Sequence, residues 1–584
     1  MKTLELFNAV VKKDTKDNVF VSEDGYIIES GALWAKDRIV TYYNSRRLNG
    51  NDLNKTFHKS WLKIKNSSRY ELLVDQIKHY ISTYGSGFKD DVYIPDEVLD
   101  ISGLKISFKV VKAYTKDELI DKSLSLLQSG IALKEETIND LLSILVDELD
   151  YEFTGKENIR NKEAIIKIAD IYGVLPIDTM EFFRYIIYRT TGQSLLIKNY
   201  KMIELIKDSN YNPSAQFKKF GLEKLSEIFN RFKPLFLAFK PKCSGTINRI
   251  SKLSKKYHKP LLSNPLNEVT SVTFNEGDDH WLDNATPFAL FKALSACWTR
   301  MNGQDAFVYR IRNGKSFAKM NSTDAGIAGY NYGHILNYIK NRFDLSGKKI
   351  FLPEDVEYAL PTSEKMYVGN VPTGTRFYGN ALAVGIYWKN SWGATDLDLS
   401  GLNIGGKVGW NSDYKQGGSL YFSGDITNAP NGAVEYLYAN RGLSEPTLVM
   451  NNVFSGNPDS EFKIIVGKGD NINKNYMMNP EKLFVDIKTQ SVQTQSVLGI
   501  FLPVGNERQS FVILNFGSGR EHISSYGEVA NITTKALYQQ WNNALTLREV
   551  IGKLGVEFVT DPEKADNDLS LNTIEKDSIM NLFI

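Results

Sequence analysis

ATDLDLSGLNIGGKVGWNSDYKQGGSLYFSGDITNAPNGAVE, residues Ala394–Glu435, is the stretch whose reading decides the fold. It opens on carboxylates and leucines in alternation, is cut by glycine turns, and closes on a second acidic loop. In Thr395-Asp396-Leu397-Asp398-Leu399-Ser400 the period is two, so the segment reads as a β-strand. Leu397 and Leu399 then face a core, and Asp396 and Asp398 project together on the other face, roughly 6.5–7 Å apart. Like charges so placed repel, and Asp is a poor strand former. A hard cation relieves both problems, because Ca²⁺ takes roughly six to eight oxygens from carboxylates, amides and backbone. Asp425 and Glu435 in the second loop offer more oxygens, as do Asn411, Asp413, Asn428 and Asn431. The plainer reading is a solvated strand face followed by Asx turns.

Working outward, short strand-like runs recur between turns. They include Leu382–Tyr387, Ser419–Ser423, Val434–Tyr438, Thr447–Met450, Phe462–Val466, Lys482–Ile487, Val497–Leu502 and Phe511–Phe516. Many short strands with frequent turns predict an antiparallel β-sandwich over 351–560. Leu545–Leu554 reads as a helix closing it. The tail 561–584 is acidic, with a short terminal helix expected from Thr573.

Upstream the pattern changes. Residues 1–115 read as mixed α/β, with a hairpin across Val19–Ile28, a helix over Ser68–Tyr80 carrying Leu72, Leu73, Ile77 and Tyr80, and a strand over Leu104–Val111. Residues 116–350 read as mainly helical, a bundle or a HEAT-like stack. Thr115 and Glu118 form a capping box; Asp178 opens a helix that Gly192 ends, and Gly173 ends another. Further on, a helix is expected over Pro287–Met301, a hairpin over Phe307–Met320 turning at Asn313-Gly314, and a helix over Ile335–Phe343. The fold class is thus multidomain α+β, with four consecutive parts.

Within the helical part, 198–259 is the most basic stretch. Lys218, Lys219, Arg231, Lys233, Lys240, Lys242, Lys255 and Lys256 are interleaved with Phe217, Phe220, Phe229, Phe232, Phe236 and Phe239. Cations beside stacking surfaces suit single-stranded nucleic acid. The plainer reading makes the phenylalanines helix core and the lysines a solvated face, since Phe229, Phe232 and Phe236 have helical spacing. Arg310, Arg312 and Lys315 beside the Asn313-Gly314 turn read either as a phosphate finger or as a charged edge that blocks strand-to-strand aggregation.

Composition narrows the classes. The chain has 584 residues, 42% apolar and 24% charged, with a formal net charge of +2. Its length suits about three or four domains, and its charge balance gives no global attraction to polyanions or membranes. Two isolated cysteines, Cys243 and Cys297, argue against a zinc or disulfide framework and suit a reducing compartment. No apolar run reaches the length of a membrane span or a secretion signal, so a cytoplasmic location is expected, or a virion if a phage encodes the chain. Catalysis finds little support. Gly401–Val408 lacks the Ser/Thr and the following helix of a phosphate loop. Gly517-Ser518-Gly519 does not complete a nucleophile elbow. The six histidines are scattered, and Asp278-Asp279-His280 reads as a surface loop.

Residues 394–466 resemble the TerD family, proteins associated with tellurite resistance and stress response. The matching marks are the DLDLS strand, the GKVGW turn and strand, the SGDITNAPNGAVE loop, and the apolar strand ending FKIIVG. The resemblance implies a calcium-binding β-sandwich with Asp396, Asp398, Asp425 and Glu435 as ligands. Where the family pattern usually carries another acid before this pair, Ala394 stands, and the second loop retains only Glu435. One calcium site is therefore expected. The function that follows is a non-enzymatic calcium-binding scaffold or adaptor in a stress, defence or phage setting, its partner a protein or further copies of itself. The alternatives are a structural component of a large assembly such as a virion, and a nucleic-acid-binding protein using 198–259.

Overall fold

The structure, a computed structural model, describes all residues except 17, 23–24, 47, 86–108, 258–281, 284, 304–305, 311–315, 321–324, 457–459, 492–493, 506–507, 518–527, 576 and 584; for 82–85, 306–310, 316–320, 364, 394–395 and 528–533 it describes the backbone alone. Helices fill much of the first part and antiparallel sheets the last, a mixed α+β architecture. The chain divides into two compact units that are not consecutive in sequence. One comprises Met1–Asp14 and Ala113–Glu268, the other Thr15–Lys112 and Val269–Phe583. The front segment expected to stand alone over 1–115 is thus shared, most of it packing with the C-terminal sheets. The segment 269–350 also belongs with those sheets, and so does the acidic tail.

The first unit is helical. Its ends follow the chain's own signals. Thr115 and Glu118 form the capping box at Lys116–Gln128, Asp178 caps Thr179–Thr191, and Gly173 and Gly192 adopt the left-handed conformation past two helix ends. Arg184 and Arg189 pair with Glu181 and Asp170, respectively. The core is aromatic: Phe183 stacks on Phe236 and Phe182 on Phe220, each pair 3.9 Å between ring centres.

The second unit is built on two antiparallel sheets. We number their strands β1 (Val356–Glu357), β2 (Arg376–Gly379), β3 (Ala381–Trp388), β4 (Ala394–Asn403), β5 (Gly406–Gly409), β6 (Lys415–Gln416), β7 (Leu420–Phe422), β8 (Ala433–Asn440), β9 (Thr447–Gly456), β10 (Glu461–Lys468), β11 (Leu483–Gln490), β12 (Gln495–Val504) and β13 (Arg508–Gly517). One sheet has the order β5-β4-β9-β12-β13-β2-β1 and the other β6-β7-β8-β3-β10-β11. They pack face to face: Gly401 on β4 lies against Leu437 and Leu420 of the opposing sheet. The other side of the first sheet is also covered. Leu402, Met450 and Ile500 pack with Leu537, from the helix Glu528–Asn542. A sheet covered on both faces explains why β12 and β13 are buried at nearly every position and show no alternation.

Other elements complete this unit. Phe20–Val21 and Tyr26–Ile28 form the expected hairpin, and Tyr26–Ile28 runs parallel to residues 109–111. Asn567–Asp568 and Glu557–Val559 flank Lys349–Phe351 in a small parallel sheet, which ties down the tail. The hairpin Ala306–Arg310 to Ser316–Met320 forms, and the helix expected from Ile335 starts earlier, at Ala325. Its Asn313-Gly314 turn lies outside the described residues, as do Arg312, Lys315, Asp278-Asp279-His280, residues 104–108, 259 and 518–520. No described helix is long and apolar enough to cross a membrane.

Candidate metal centre

Asp396 and Asp398 stand on β4, which pairs with β9 along its length but with β5 only from Ser400 onward. Past the end of β5 the edge of β4 is open, and the loop after β7 fills it. Asp425 comes from that loop. Each of the three aspartates offers a carboxylate oxygen within 4.8 Å of the others. All are buried, with 4%, 3% and 3% of their surface exposed for Asp396, Asp398 and Asp425. The expectation of a solvated strand face does not hold: the alternating acids are as enclosed as the leucines between them.

Glu435, on β8, is fully buried beside this group. Its two oxygens accept from the backbone N–H of Leu399 at 2.8 Å and of Ile426 at 3.0 Å. It thereby stitches the open edge of β4 to the loop that carries Asp425. The other expected oxygen donors are engaged elsewhere. Asn411 accepts from Lys407, Asp413 pairs with Arg69 at 2.8 Å, and Asn428 accepts from Asn390 at 2.6 Å. Asn431 gives its carbonyl to Lys55.

One oxygen of each aspartate is left uncompensated among the described residues. Asp396 Oδ1, Asp398 Oδ2 and Asp425 Oδ1 find no hydrogen-bond partner. Burial, and then the neighbouring Asp425, pushes Asp396 up to about 8. Burial, with Asp425 and Asp396 adding to it, pushes Asp398 up to about 9. Glu435 is raised by burial and by the aspartates, against the pull of its two N–H donors, and Asp425 is raised by burial against the Tyr80 hydroxyl. Lys407 is the buried cation of this region; burial lowers its amine to about 8, with Asp398 opposing. A carboxylate cluster of this kind must be protonated or share a positive charge. Oxygen-only donors favour a hard cation over zinc or copper.

Four contributors were not visible in the sequence pattern. Asn452 sits directly across from Asp398 on β9, and neither polar atom of its side chain has a partner. Cross-strand neighbours lie about 5 Å apart, so its side chain stands on the same face as that of Asp398. The helix Arg69–Gly85 supplies Tyr80, whose hydroxyl donates to the Asp425 carboxylate. It also supplies Gln76, which donates to the Asp425 carbonyl at 2.9 Å and accepts from the Asp425 N–H at 3.1 Å. His58 lies under the same loop: its backbone N–H donates to the Ser423 carbonyl at 3.2 Å and its ring packs between Phe57 and Tyr414. The helix turns Leu72 and Gln76 inward and leaves Leu73 and Ile77 exposed, so its buried face is not the apolar face expected. No described His or Cys joins the carboxylates.

The basic candidates stand beside aromatic residues that are turned into the core. Phe217, Phe229, Phe232, Phe236 and Phe239 are core residues, so they offer no stacking surface. Lys218, Lys219, Arg231, Lys233, Lys240, Lys255 and Lys256 are exposed. Lys242 is spent on the carbonyls of Ile206 and Lys207, at 2.8 and 2.6 Å. Cys243 is buried, its thiol pushed up to about 11. Gly401–Val408 is the β4–β5 hairpin, with no helix following.

No protein-family model and no curated protein matches the chain. Among solved structures, one titled "Crystal structure of unknown function protein SAV2460" aligns with 28% of this chain and 98% of its own, at 10% identity and a TM-score of 0.19.

Proposed function

We propose that the second unit is a TerD-like calcium-binding module and that the protein serves as a non-enzymatic scaffold. One observation carries this reading: three buried aspartates each bring a carboxylate oxygen within 4.8 Å of the others, and each has one oxygen without a hydrogen-bond partner among the described residues. Asp396, Asp398 and Asp425 would hold the ion, with Asn452 as a further oxygen donor and Glu435 positioning both segments. Bound calcium would supply the positive charge these carboxylates lack. The chain's own residues do the rest. β4 presents two carboxylates, Glu435 fixes the strand edge to the loop, and Gln76 and Tyr80 clamp the loop from outside. The ion would thus join strand, loop and helix, which gives it a role in rigidity and no role in turnover.

Thermal unfolding of the full chain in excess Ca²⁺ and in chelator tests this. A clear rise in melting temperature with Ca²⁺, absent in Asp398→Ala, supports the reading. Identical melts in both conditions for the wild-type chain sink it.

A further inference from the structure

We infer that the first unit carries a docking surface for the phosphate backbone of duplex nucleic acid. Between residues 209 and 257 the sequence has eleven Lys and Arg against Glu223 and Glu227. The excess is not spread evenly. The Lys198 amine donates to the Arg231 carbonyl at 3.2 Å, and the Asn230 amide donates to the carbonyls of Ser254 and Tyr257 at 2.9 and 3.1 Å. These bonds draw three distant segments to one place and gather Lys198, Arg231, Lys233, Lys255 and Lys256 there. All five are exposed, and none forms an ion pair among the described residues. Earlier in the same unit the pattern is the opposite. Lys116, Lys167, Arg184, Arg189 and Lys207 each hold a carboxylate at 3.4 Å or less. Unpaired like charges held together repel, and a polyanion relieves that repulsion by releasing its own counterions.

The form of the polyanion follows from what surrounds the cations. Single strands are gripped by successive stacking aromatics. Here the phenylalanines are core, and among the described residues of 198–257 Tyr200 is the one exposed aromatic. A protein partner needs buried aromatic or Arg anchors at the centre of the contact, and the five positions hold four lysines and one arginine. Lysine ammoniums are point charges suited to phosphates without base reading. A duplex backbone, bound without regard to sequence, fits this chemistry.

The test is fluorescence anisotropy of the full chain with a labelled duplex of arbitrary sequence, roughly 30 base pairs long, and with one of its strands alone. Five phosphate contacts predict an affinity loss of several hundred-fold between about 50 and 200 mM salt. Arg231→Gln/Lys255→Gln/Lys256→Gln should weaken duplex binding at least tenfold at low salt, with an unchanged melting temperature. Lys116→Gln/Lys167→Gln, from the paired region, should leave it unchanged. Absence of binding at low salt, insensitivity to salt, or equal loss in both variants overturns the proposal. A single strand binding as tightly as the duplex overturns the assignment to duplex.

Discussion

The hydroxyl of Tyr80 donates to the carboxylate of Asp425 across 345 positions of sequence. With Gln76 bridging the N–H and C=O of the same residue, the helix Arg69–Gly85 holds the acidic loop in place from outside. Removing only the hydroxyl, in Tyr80→Phe, strands a buried carboxylate oxygen. A loss of about 1–3 kcal/mol is expected from denaturant unfolding. Amide exchange should also quicken along residues 69–81 and 423–428 before other regions. Unchanged exchange in both segments would show that the bond does not couple them.

The aspartate cluster makes Asp398→Asn act in opposite directions with and without calcium. Asp398 is pushed up to about 9 in the folded chain, against an ordinary value near 3.8. The folded state therefore holds this proton more tightly than the unfolded chain. Its contribution is complete below about pH 4 and is lost as pH rises toward 9, at about 1.4 kcal/mol per pH unit. An amide does not ionise, so in chelator at pH 7 the variant should be more stable than wild type. In calcium at about 100 times the dissociation constant, wild type should gain roughly 2.7 kcal/mol and the variant far less. A variant that is less stable in chelator contradicts this account of the buried charge.

The sandwich and the aspartate strand were legible in the sequence because both rest on local signals: alternation, glycine turns and a pair of acids two residues apart. Their burial was not. The loop that brings Asp425 to Asp396 and Asp398 is held by Gln76 and Tyr80, which are far from it in sequence and carry no mutual pattern with it. Tyr80 looked like one more apolar position on a helix. The helix buries Gln76 and exposes Leu73 and Ile77 because a side-chain amide can satisfy both backbone groups of Asp425, which an aliphatic side chain cannot. The division into units was hidden for the same reason. Trp61 and Asn54 anchor the front segment to the backbone of Met477 and Met478, a link made by two side chains' hydrogen bonds without periodicity. Phe229, Phe232 and Phe236 were placed correctly as core by helical spacing alone.

Gly424 makes a close backbone approach next to the site. Its φ is +95°, and a Cβ there would meet His58 Cδ2 at 2.7 Å and Phe57 Cδ1 at 2.9 Å. Gly424→Ala combines left-handed strain with overpacking against two rings that are themselves confined, so a loss of about 1–3 kcal/mol is expected. Calcium affinity, read by calorimetry, should fall with it, because Asp425 is the next residue. Gly393→Ala is the control: φ is +89° there with open space around the added carbon, which leaves strain alone. Equal destabilisation by both would assign the effect to backbone strain and not to the approach of His58.

His58 gives the protein an acid sensitivity separable from the carboxylates. Its ring is 1% exposed and neither nitrogen has a hydrogen-bond partner. Burial, helped by Lys63, lowers it from the usual 6.5 to about 3. The unfolded chain therefore binds a proton between about pH 6.5 and 3 that the folded chain refuses. The stability contributed by the neutral ring is complete above pH 6.5 and drains away as pH falls through that window. Two pH units inside it cost about 2.7 kcal/mol. The buried aspartates slope the other way, so the total profile mixes both and the difference between variants is the informative quantity. In chelator, denaturant unfolding from pH 7 to pH 4 should show wild type losing ground relative to His58→Phe, whose ring fills similar space without ionising. A constant difference between the two proteins across that range would mean that His58 is protonated in the folded chain or finds a partner there.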